Sequence, residues 1–122
     1  VHKPVNTVPD PVLRYPGIVY LLIGEASASS TEDFTLYMMS LSNVVLLGDT
    51  TMGAGCTPTP ISLGEGWQVT VSNWSNRGPN LEPIEWYGIP PDIYVEATEE
   101  DFAQGIDPVL EYAIDLVNSH GR

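Results

Sequence analysis

An α/β fold organised around a pair of parallel strands follows from three features of this 122-residue sequence. Ile18–Ile23 (IVYLLI) and Val44–Leu47 (VVLL) are short apolar runs rich in β-formers and without alternation, the pattern of strands buried on both faces. Between them Phe34, Tyr37, Met38 and Leu41 recur at helical spacing and predict a helix of about three turns with one apolar face. Strand, helix, strand is a βαβ unit, which requires a parallel pair and a right-handed crossover.

The remaining elements follow in order. Residues 1–16 contain Pro4, Pro9, Pro11 and Pro16 and predict an extended, proline-rich leader, because proline fixes φ and removes a donor. Residues 17–122 form the folded part. Gly24–Ser30 is a small, polar turn, and Ser42-Asn43 stops the first helix. A Gly/Thr/Pro loop runs from Gly48 to Pro60. Ile61–Leu63 and Trp67–Ser72 flank Gly64-Glu65-Gly66 and predict a hairpin. Trp74–Pro83 is irregular, and Ile93–Val95 is a short strand after Pro90-Pro91. Asp107-Pro108 opens a last helix as cap and first-turn proline, with Val109, Tyr112, Ala113, Leu116 and Val117 on its apolar face. No internal repeat is visible.

Composition excludes several functions. Sixteen acids against four Lys+Arg give a formal charge of −12, which repels phosphate backbones and argues against a nucleic-acid partner. No basic amphipathic stretch addresses a membrane surface. The single cysteine, Cys56, excludes an internal disulfide and a cysteine-based metal cluster. His2 and His120 stand at opposite ends, and no metal or other cofactor is implied. The opening at Val1 without methionine reads as an excised or processed piece of a longer protein.

The strand-to-helix turn GEASASSTEDF carries three serines, Ser27, Ser29 and Ser30. A serine there lies beside the free N–H groups of a helix N-terminus, which can stabilise an oxyanion. The alternative is structural: Ser29-x-x-Glu32 has the form of a capping box.

Four segments in fixed order resemble the tail-specific, or C-terminal-processing, serine protease family. They are SASSTEDF (Ser27–Phe34), GDTTMGAG (Gly48–Gly55), ISLGEGWQVTV (Ile61–Val71) and GIPPDIYV (Gly88–Val95). The resemblance implies a crotonase-like protease core, of which this chain is the C-terminal part, and hydrolysis of a polypeptide substrate through an acyl-enzyme. Matching on Glu32 implies Ser29 as nucleophile and the Ser30 N–H as one oxyanion donor. The second donor belongs to a family motif upstream of the matched part. Where Ser-Lys members carry lysine between two glycines, this chain has Ala54, 25 positions beyond Ser29. That departure resembles the tricorn-like branch, whose base is a histidine from the N-terminal half, and it implies Glu85 in EWYGIPPD as an orienting carboxylate. An engineered Ala54 is the other reading. The resemblance also implies an exported or membrane-associated setting and leaves the oligomeric state open. A non-catalytic module of the same fold, holding an apolar ligand as the retinoid-binding relatives do, is the competing function.

Other residues carry plainer expectations. Glu82 rivals Glu85 as a solvated acid, Asp92 shapes a turn, Cys56 is an inert thiol, and Trp67, Trp74 and Trp86 pack. Asn73-Trp74-Ser75 has the form of a glycosylation triplet.

Overall fold

A computed structural model describes residues 15–120, so the expected leader falls outside the described residues except for Tyr15 and Pro16. The elements run β1 (Val19–Ile23), α1 (Ser30–Met38), β2 (Val44–Gly48), β3 (Pro58–Gly64), β4 (Trp67–Ser72), β5 (Ile93–Tyr94), α2 (Glu99–Ala103) and α3 (Pro108–His120). β1, β2 and β5 form one sheet in the order β1-β2-β5. Both pairings are parallel, with Val19 opposite Val44, Ile23 opposite Gly48 and Leu47 opposite Ile93. Asp92 fastens the entry to β5: its Oδ2 accepts from Leu46 N–H at 2.8 Å, and its N–H donates to Leu46 O at 3.0 Å.

β2 is central, which explains why Leu46 and Leu47 are sealed from solvent. Burying a leucine fully is worth about 1.5–3 kcal/mol. Ile23, Leu46, Ile84 and Ile89 make the core cluster, with Leu21, Leu36, Met39 and Val44 packed against it. α3 packs on β1 and β2, with Ala113 buried. Its cap is as expected: Asp107 Oδ1 accepts from Leu110 N–H at 3.0 Å.

Three local expectations are corrected. β1 is an edge strand among the described residues, so it is only partly buried, and Leu22 is exposed. The expected apolar stripe of α1 faces mostly outward: Phe34, Tyr37 and Leu41 are exposed and Met38 is half-buried. The inward positions are Glu32, Thr35, Leu36 and Met39, which share one helical face. Thr98 caps α2, a helix absent from the sequence reading, by accepting from Asp101 N–H at 3.2 Å.

The β3–β4 hairpin turns through Glu65 and Gly66, both at positive φ, as a tight two-residue connection matching the strand twist requires. Every residue of both strands is exposed. Trp67, Trp74 and Trp86 are exposed too, against the expectation that they pack. No helix among the described residues is long and apolar enough to cross a membrane.

Candidate active site

The site is built where β1 hands over to α1. Ser27 tightens the turn, its Oγ accepting from Gly24 N–H at 3.2 Å and its carbonyl from Met52 N–H at 2.9 Å. Ser29, the last residue before the helix, takes φ 55° and ψ −124°. For a residue with a Cβ this backbone costs about 1–3 kcal/mol and persists only when neighbours over-determine it. Ser29 and Ser30 are both exposed. The N–H of Ser30, first in α1, has no acceptor among the described residues, as the orphan donors of a helix start do not.

Glu32 over-determines the turn. Its side chain is fully buried yet accepts four hydrogen bonds. Oε1 accepts from Thr51 Oγ1 and from Gly53 N–H, both at 2.7 Å. Oε2 accepts from Ala54 N–H at 2.9 Å and Ser29 N–H at 3.2 Å. Ser29 N–H is shared with Ala54 O at 3.1 Å. The capping box expected at Ser29-x-x-Glu32 is present, and the Glu32 bonds to Thr51, Gly53 and Ala54 lie beyond it. Only the fold brings residues 51–54 to the start of α1.

The same loop holds the segment bearing Glu85. Thr51 Oγ1 accepts from Ile89 N–H at 2.8 Å, and Gly53 O accepts from Trp86 N–H at 2.8 Å. Gly53 and Gly88 sit at φ +72° and +70°. A Cβ on Gly53 would lie 2.7 Å from Gly88 N, and one on Gly88 would lie 2.1 Å from Thr51 O.

Of the residues expected at the site, Ser29, Ser30 and Ala54 are thus brought together directly. Glu85 is joined to them only indirectly, through the Trp86–Gly53 bond and the Ile89–Thr51 bonds of its segment. It is half-buried, and its Oε2 is sealed without a hydrogen-bond partner among the described residues. Its neighbour is Cys56, whose Sγ donates to Trp74 O. Desolvation pushes the Cys56 thiol up, and the adjacent Glu85 carboxylate pushes the same way, against smaller opposing hydrogen bonds. Sequence reading missed this Cys56–Glu85 contact and the bond from buried Asn76 Nδ2 to Asp33 Oδ1. Glu82, the rival acid, braces its own turn by accepting from Asn80 N–H at 2.8 Å. Asn73 Nδ2 donates to Thr59 Oγ1 at 2.7 Å. His2 and Lys3 lie outside the described residues, and residues 15–119 contain no histidine or lysine.

A cavity of about 720 Å³ opens beside Ser27 and Thr31, at the carboxyl ends of the parallel strands. Ile23, Val95 and Phe102 line it together with the carboxylates of Glu25, Asp49, Glu96 and Asp107. The lining is mixed, since Leu22, Ala26, Ala97 and Val109 add to its apolar side. Asp49 chiefly, then desolvation, Glu96 and Glu25, push the pKa of the Tyr94 hydroxyl there up. Among the described residues no three His, Cys, Asp or Glu side chains are grouped to hold a metal ion.

Comparisons with known proteins bear on this geometry. The sequence profile of peptidase family S41 matches residues 3–95. A Sulfurisphaera tokodaii protein named as a tricorn-like protease C-terminal subunit is 28% identical over 119 residues, which is 95% of this chain and 14% of that protein. The crystal structure of a protein from Parabacteroides merdae, named as a peptidase, superposes with a TM-score of 0.77 at 35% identity, covering 89% of this chain and 34% of that one. Tricorn protease superposes with a TM-score of 0.68 at 25% identity, covering 98% of this chain and 12% of that one. The chain therefore spans well under half the length of each of these proteins.

Proposed function

The chain belongs to peptidase family S41, and from that membership we propose that it carries the nucleophile of a serine-type endopeptidase of the tail-specific kind. Residues 17–122 would be the C-terminal part of a crotonase-like catalytic domain. Ser29 Oγ attacks the scissile carbonyl carbon of a polypeptide, and its proton passes to a general base. The carbonyl oxygen becomes an oxyanion, which the free Ser30 N–H meets as one donor. Collapse expels the amine, which takes the proton back from the base and leaves an acyl-enzyme that water then hydrolyses.

Serine needs a base within hydrogen-bond reach. Residues 15–119 offer no histidine or lysine, so the base and the second oxyanion donor are assigned to the N-terminal half of the same protein. The alanine at position 54 and the likeness to tricorn protease support a histidine base over a Ser-Lys dyad. Glu85, half-buried with a free oxygen, is the carboxylate that orients the assembly.

One observation carries the proposal: an exposed serine held at positive φ on a strand-to-helix turn, with an unspent N–H directly after it. The test is a labelled fluorophosphonate applied to the whole protein. Wild type is expected to react at Ser29, and Ser29→Ala to lose peptidase turnover by about four to six orders of magnitude. Equal labelling of Ser29→Ala, or none of wild type, rejects the reading. The 122-residue chain alone is expected to turn over no peptide.

A further inference from the structure

We propose that Cys56 is a positioning residue for Glu85: the thiol fills the space beside the carboxylate without pairing with it, and so keeps Oε2 free for a donor brought by the N-terminal half. This deepens the peptidase reading and rests on it, through the orienting role given there to Glu85.

Among the described residues that are at least partly buried, Glu85 Oε2 is the single sealed side-chain oxygen or nitrogen without a hydrogen-bond partner. A carboxylate oxygen shut away from water and left unpaired is costly, and a native structure keeps one only for a reason. The fold does supply donors elsewhere, since the two oxygens of buried Glu32 accept four hydrogen bonds. Two segments meet at Glu85. Gly53 O accepts from Trp86 N–H at 2.8 Å, which pins the loop leading to Cys56 against the turn bearing Glu85. Cys56 is half-buried there, with the Glu85 carboxylate as its neighbour. Its one hydrogen goes to Trp74 O, which leaves the sulfur nothing to donate to Glu85. Desolvation chiefly, and then Glu85, push the thiol up, so it keeps that proton.

The residue type decides the outcome. A thiol is a compact, nearly apolar filler and a weak donor. Serine, one atom different, carries a strong donor. Its hydroxyl would turn from a neutral carbonyl to the unpaired carboxylate, because a charge-assisted bond is about twice as strong as a neutral one. An oxygen spent in that way no longer holds the group it is meant to orient, and small displacements of a catalytic assembly are expensive in rate.

The test compares hydroxyl and apolar side chains at position 56 in the whole protein, at fixed active-site concentration. Cys56→Ser is expected to slow both fluorophosphonate acylation of Ser29 and peptide kcat about 10-fold relative to Cys56→Ala, with KM the same in the two. Cys56→Thr and Cys56→Val share a shape and differ in the hydroxyl, and threonine should be the slower by a similar factor. A merely structural role gives the reverse order, since a hydroxyl keeps the bond to Trp74 O that the apolar residues lose. If one pair fails to fold, the other decides. In a Glu85→Leu background, with no oxygen left to capture, the hydroxyl penalty should vanish. A penalty that persists there overturns the coupling to Glu85. Hydroxyl variants as fast as their apolar partners, with wild type reacting at Ser29 and slowed by Glu85→Leu, overturn the role of Cys56 and leave the peptidase reading standing. Acylation unaffected by Glu85→Leu overturns the orienting role of Glu85, and this proposal with it. No reaction of wild type at Ser29 overturns the nucleophile itself.

Discussion

At Ser29 the local sequence and the tertiary environment impose opposite demands. Its φ of 55° is unfavourable for a side-chain-bearing residue, yet a glycine there would remove the hydroxyl. The compensation comes from Glu32, three residues on and completely buried. The serine was legible in the sequence because the small, polar turn between an apolar run and a helical period announces itself. Glu32 was legible only in part: S-x-x-E spacing reveals the bond back to Ser29, whereas the bonds to Thr51, Gly53 and Ala54 join residues about twenty positions apart. Gly53 shows the same division. Its place in a Gly-rich loop is written in the chain, but the reason for it is the 2.7 Å approach of Gly88 N to any added Cβ. Gly53→Ala is therefore expected to destabilise the fold by more than about 1 kcal/mol, since alanine gains strain at positive φ and meets backbone rather than a yielding side chain. Chemical denaturation checks this. An alanine tolerated there without loss would mean the two loops are not interlocked.

Elements were read well where a run of residues decides them alone. β1, β2, β5, the hairpin and α3 all lie where their apolar runs, turn residues and proline cap place them. The face that α1 buries was misjudged because two stripes of that helix compete. Phe34, Tyr37 and Leu41 are the more apolar, yet the helix presents Glu32, Thr35, Leu36 and Met39 inward to satisfy the loop and the core. α2 escaped notice because it spans five residues and owes its existence to a cap rather than to a period. Its Thr98–Asp101 contacts give a pH prediction. Hydrogen bonds from the Thr98 hydroxyl and N–H hold the Asp101 carboxyl below its ordinary value, so the folded pKa is the depressed one. The contribution is present above the unfolded pKa and is lost as pH falls through the folded pKa. Backbone chemical shifts of Glu99–Ala103 should lose helical character on that acid limb, and Asp101→Asn should abolish the pH dependence. Helicity insensitive to acid would refute it.

For the whole molecule, charge and exposure matter most. A net charge of −12 on 122 residues makes the folded state repel itself. Added sodium chloride should raise the thermal midpoint by screening that repulsion, with the largest gain between about 0.01 and 0.15 M, where the Debye length shortens from roughly 30 to 8 Å. A midpoint unmoved or lowered by salt over that range contradicts the account. The hairpin exposes Ile61, Leu63, Trp67, Val69 and Val71, and a two-stranded hairpin is marginal by itself. By itself the sequence determined the strand–helix–strand order, the parallel sense of the first pair, the serine-bearing turn and the family, because periodicity, breakers and short motifs are properties of contiguous residues. The tertiary structure alone decided which stripe of α1 is inside, what Glu32 holds and where Glu85 lies. Those outcomes depend on hydrogen-bond partners far apart in the chain, and a buried carboxylate takes whichever donors the fold delivers.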